Sequence, residues 1–155
     1  MIELTEEVIQ FLHHQSFVII STIDDQGTPH SACKGIVKID PQGRIYLLDL
    51  YQAHTQQNLQ KNTRLSLTAV DEHKFRGYCL KGQAEALKQS EINPKFIEDW
   101  EARITSRITQ RVLKNITDKK GSPLHPEAIL PQPQYLIVME VEEIVDLTPQ
   151  HLRRD

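Results

Sequence analysis

Apolar positions along the chain recur in short runs, with two different periods. Over "LTEEVIQFLHHQ", Val8, Ile9, Phe11 and Leu12 fall on one stripe at helical spacing. A short helix is expected there, with Thr5 as its cap and Glu6 and Glu7 at its positive end. The β-branched run "FVIISTI" then ends in the turn "DDQG", and "PHSACKGIVKI" ends in a second turn, "DPQG", before "RIYLLDL". Two Asp…Gly turns between three such runs predict antiparallel hairpins. "RLSLTAV" and "YCLKGQAEAL" read as two more strands, and "YLIVMEVEEIVDL" as a last one.

Between the fifth and sixth strands the period changes. "PKFIEDWEARITSRITQRVLKNI", about 94–116, predicts one long helix, with Pro94 in its first turn and Glu98, Asp99 and Glu101 near its positive end. Trp100, Ile104, Ile108, Val112 and Ile116 form its apolar row, expected to pack on the barrel or on a second subunit. Arg103, Arg107 and Arg111 form a second row, expected to be a solvated face with Glu partners, with phosphate binding as the alternative. "GSPLHPEAILPQPQ", about 121–134, carries four prolines and predicts an extended loop. Six strands, five of them before the long helix, predict a mainly β fold with helical additions: a six-stranded antiparallel barrel in a single domain, 1–155.

Within the second strand Cys33, Gly35, Val37 and Ile39 would share one face. Ser31 and the pair Lys34 and Lys38 have opposite parity, so Gly35 is expected to mark a bulge or a close backbone approach. A ligand on that strand and a plain barrel corner both account for such a glycine. "FVIIS" and "IYLLDL" are apolar at both parities, which predicts burial on two faces and hence a homodimer.

Composition narrows the function. With 155 residues, 39% hydrophobic and 25% charged, the chain can bury one core. Its formal charge of -3 offers no basic footprint, so no nucleic-acid partner is expected. The two cysteines, Cys33 and Cys79, make neither a disulfide framework nor a four-cysteine zinc site, and the seven histidines show no metal-ligand spacing. No apolar run has the length of a signal peptide core or a membrane span, so a cytoplasmic protein is expected. There is no Gly-x-Ser-x-Gly elbow and no glycine-rich phosphate loop. After "LLDLY", however, "QAHTQQNLQKN" holds only hydroxyl, amide and imidazole groups before Lys61. A helix starting with Thr55 as N-cap would offer free backbone N–H groups to an anion; a capped connector is the plain alternative.

The ordered set "DDQGTPH", "GRIYLLDL", "NLQKNTRLSL" and "KGQAEAL", spread over about Phe17 to Leu87, resembles the pyridoxamine 5'-phosphate oxidase-like family of flavin-binding split barrels. The resemblance implies a homodimer holding flavin mononucleotide (FMN) at the subunit interface. Carried over residue by residue, it places second-strand contacts at Cys33, Lys34, Gly35 and Ile36. It places the end of the third strand at Asp49 and Leu50, and the connector contacts at His54, Thr55 and Asn58. The family's oxidases carry an Arg-Lys pair where this chain has His54-Thr55, and "HLRRD" is not their substrate-binding Arg-x-His pattern. The resemblance therefore implies a related FMN oxidoreductase rather than pyridoxamine-phosphate oxidase itself. It names no general acid or base; because histidine is the natural proton donor near neutral pH, His54 and His30 are the first candidates. A non-catalytic split barrel that binds or senses flavin or haem is the alternative.

Overall fold

A computed structural model describes residues 1–49, 54–103 and 135–153, without the side chain of Asp49. Helix α1, Glu6–His13, opens the chain, and the Val8 N–H reaches the Thr5 hydroxyl at 3.4 Å as expected of a cap. Val8, Ile9 and Leu12 are its buried stripe.

The strands are β1 Val18–Ile23, β2 Pro29–Asp40, β3 Arg44–Asp49, β4 Arg64–Asp71, β5 Arg76–Lys88 and β6 Tyr135–Asp146. All pairings are antiparallel, and the sheet closes in the order β1-β2-β3-β6-β5-β4. Closure leaves no strand edge open. The first two turns form as the Asp…Gly spacing predicts. Asp24 Oδ1 accepts the N–H groups of Gln26 and Thr28, Asp40 Oδ1 accepts that of Gln42, and Gly27 and Gly43 take positive φ. Ile20, Ile45, Leu47, Leu67, Leu80, Ile137, Met139 and Val141 fill the interior.

A bulge resets the alternation of β2, but not at Gly35. The register shifts between Ile36 and Lys38, so the extra residue is Val37. Ile36 and Ile39 then both belong to the barrel core, while Val37 points the other way. The face expected for Cys33, Gly35, Val37 and Ile39 is therefore broken in two.

Helix α2, His54–Lys61, connects β3 to β4 and packs on β1, β2 and β5. Helix α3 is described over 94–103, and residues 104–116 of the long helix lie outside the described residues, as does the proline-rich segment 121–134. Trp100, the one described residue of the expected apolar row, packs on the barrel together with Phe96 and Ile97, against Val37, Leu48, Leu136 and Tyr46. This covers the outer face of β3, so the second-side burial predicted for "IYLLDL" comes from α3. Among the described residues the outer face of β1 has no such cover. Ile19 is 42% exposed, and Phe17 and Ile23 beside it are exposed too. Among the described residues no helix is long and apolar enough to cross a membrane.

Candidate functional site

Two segments far apart in sequence, the end of β3 and the start of α2, each lie against β2. Gly35 and Ile36 of β2 pair with Leu48 and Leu47, near the end of β3. The chain leaves β3 and enters α2, which returns to β2: the rings of His30 and His54 stand 5.3 Å apart, centroid to centroid. Of the residues expected at a ligand, Cys33, Lys34, Gly35 and Ile36 follow one another on β2, the last two beside the end of β3, while α2, which carries His54, Thr55 and Asn58, meets β2 at His30 and β1 at Thr22. Leu50 and the side chain of Asp49 lie outside the described residues.

Their side chains are not equally available. Cys33 and His54 are exposed, and Lys34 and Gly35 are half-buried. A Cβ added to Gly35 would meet nothing within 4 Å among the described residues, so the monomer's own packing does not require glycine there. A ligand or partner approaching the strand would. Ile36 is buried in the core. The helix begins at His54 rather than at an N-cap Thr55, and Thr55 is 1% exposed. Its hydroxyl is therefore turned into the protein, against the expectation of a cap aimed at an anion. Asn58 is also committed inward: its amide donates to the Thr22 hydroxyl at 3.0 Å, both residues being buried. That bond pins α2 to β1. What remains to face a ligand is the surface of β2 around Cys33 and Gly35, the His54 ring and the backbone at the start of α2, with Lys34 half-buried on the other face of the strand.

One residue, at the β2 bulge, was not legible from spacing. Arg103 was expected on a solvated face with Glu partners; instead its guanidinium reaches β2 and donates to the carbonyls of Ile36 and, at 3.1 Å, Val37. These are the carbonyls at the bulge, where the β2–β3 ladder is interrupted. The arginine row at four-residue spacing was the only sequence signal, and Arg107 and Arg111 lie outside the described residues.

A family model described as pyridoxamine 5'-phosphate oxidase matches residues 4–145. Among solved structures, the chain is similar to HupZ of Group A Streptococcus, with 17% identity, 94% of each chain covered and a TM-score of 0.63. It is similar also to a Clostridium acetobutylicum protein related to general stress protein 26 of B. subtilis (pyridoxinephosphate oxidase family), with 17% identity, 95% of each chain covered and a TM-score of 0.56. An F420 reductase matches with 13% identity, covering 92% of this chain and 98% of its own, at a TM-score of 0.58. At these identities the likeness speaks to the fold. No curated protein matches the chain.

Proposed function

Since the chain belongs to the pyridoxamine 5'-phosphate oxidase family, we propose that it is an FMN-binding flavoprotein and an oxidoreductase distinct from pyridoxamine-phosphate oxidase itself. The observation that carries this reading is that the end of β3 and the start of α2 both lie against β2, the three segments expected to hold flavin. Bound there, FMN would supply the electron-transfer chemistry. The chain's own groups would bind and orient it. The Lys34 ammonium and the first N–H groups of α2 favour a phosphate dianion. Cys33 and Gly35 leave room for a flat ring system against the strand, and His30 and His54 are the groups suited to moving a proton near neutral pH. His54-Thr55 in place of an Arg-Lys pair, with Thr55 turned inward, leaves Lys34 as the principal cation of the set. The uncovered apolar residues of β1 support a homodimer.

The absorption spectrum of the purified protein, followed by addition of NADH or NADPH, tests this reading. Flavin bands that bleach support a reductase, whereas flavin bands inert to every donor support a carrier. A haem spectrum would replace the reading by the alternative. Titration of apoprotein should rank FMN above riboflavin, and Lys34→Ala should weaken FMN by roughly ten- to a hundredfold, the worth of a charge-assisted bond. Equal affinity for riboflavin and FMN would mean that these segments hold no phosphate site.

A further inference from the structure

A cleft of about 690 Å³ opens between the end of α1, the part of β2 beyond its bulge and the first turns of α3. It includes none of the residues assigned to flavin. Its size falls in the range of small-molecule sites, about 300–1,000 Å³. Its charge runs against that of the chain. The whole protein carries -3, yet the residues lining this cleft include Lys38, Lys95 and Arg103 against one carboxylate, Asp99. Cations gathered in a concave, partly apolar wall focus a positive potential on whatever enters.

The cations are positioned rather than loosely displayed. The rings of Tyr46 and Phe96 stack at 4.9 Å, and the Lys38 ammonium lies 5.7 Å from the first centroid and 5.9 Å from the second. Arg103 is held by the bulge carbonyls of Ile36 and Val37. Lys95 sits in the first turn of α3, where Asn93 caps the helix by accepting the Lys95 N–H at 3.0 Å, so the helix dipole adds to the ammonium's field. His13 reports the environment: its pKa is pushed below the ordinary value by burial and next by the Arg103 charge. Phe96 and Val37 supply apolar wall between the charges.

We propose that this cleft binds a small organic anion in which a flat ring carries a carboxylate or a phosphate. The ring would lie against Phe96, and the anionic group would sit between Lys38 and Lys95. Neither a bare anion nor a neutral ring uses both features.

Calorimetric titration of the full-length protein, with and without added FMN, tests this with four probes: phenyl phosphate, benzoate, benzyl alcohol and inorganic phosphate. Phenyl phosphate or benzoate should bind in the millimolar range or tighter, and whichever binds more tightly names the anionic group. Benzyl alcohol and inorganic phosphate should each bind at least about tenfold more weakly, one missing the charge and the other the ring. Lys38→Gln and Lys95→Gln are exposed changes, the first giving up only the Lys38 contact with the Tyr46 and Phe96 rings, and each should weaken the ring-bearing anion by roughly tenfold while the protein stays folded. Phe96→Leu should weaken phenyl phosphate while leaving inorganic phosphate as it was. The proposal is overturned if neither ring-bearing anion binds, or if both lysine variants bind like the wild type. It is equally overturned if FMN displaces the probe, because the anion would then be reading the flavin phosphate site. The cleft is tested whether or not the protein binds flavin, so failure of one reading does not carry the other with it.

Discussion

Replacing Thr22 by valine removes a single hydroxyl from the junction of β1 and α2. Thr22 is 2% exposed and Asn58 7%, and the 3.0 Å bond between them is the buried side-chain link between the two elements. Valine has nearly the same shape, so no cavity opens. The bond itself is worth about 0.5–1.5 kcal/mol net, but the stranded Asn58 amide also loses its partner in a dry site, which raises the cost to about 1–3 kcal/mol. The new buried methyl returns up to about 0.8 kcal/mol. A net loss of about 1–2 kcal/mol follows, or roughly 2–8 °C in melting temperature for a chain of this size. The double variant Thr22→Val/Asn58→Leu removes both polar partners together. Its loss should fall short of the sum of the two single losses by about 1 kcal/mol or more. Urea unfolding of the four proteins measures this coupling directly. A coupling within about 0.3 kcal/mol of zero would mean that the bond does not hold α2 to the barrel. Because α2 starts at the candidate flavin site, Thr22→Val should also weaken FMN, although Thr22 is not among the ligand contacts.

Three further outcomes follow from other parts of the molecule. Gly82 lies opposite the β6 bulge at Glu142, where an added Cβ would overlap the Glu140 carbonyl oxygen on β6; Gly82→Ala should cost about 3 kcal/mol or more, and a variant melting as the wild type does would refute that packing. His13 should titrate below the ordinary value of 6.5 by NMR, and Arg103→Gln should bring it only part of the way back, because burial is the larger cause. As a base with a depressed folded pKa, its contribution to stability is fully present above 6.5 and is lost as pH falls from there towards the folded value. Ile19 and Ile23 are exposed on β1, so light scattering at micromolar concentration should give a dimer that Ile19→Glu breaks; a wild-type monomer would leave the β1 face without the predicted cover.

The sequence by itself determined the elements whose cause is local. The Thr5 cap, the Val8–Leu12 stripe and the Asp…Gly turns each involve residues within four positions of one another, so the chain's spacing writes them directly. The β-branched runs determined where strands lie, and the ordered motifs determined the family. What tertiary structure decided are contacts between groups that spacing cannot relate. The glycine in β2 signalled a break in alternation, but the bulge fell at Val37, because that placement puts Ile36 and Ile39 in the core and Val37 under α3. The polar connector signalled a helix start, but Thr55 and Asn58 are buried, because α2 lies against β1, where the Asn58 amide finds the Thr22 hydroxyl. Arg103 lay in a row that reads as solvated, yet an interrupted ladder left carbonyls within its reach, 67 residues away for Ile36. A hydrogen-bonding group takes the partner that folding delivers to it, and for these residues that partner belongs to another element of the barrel.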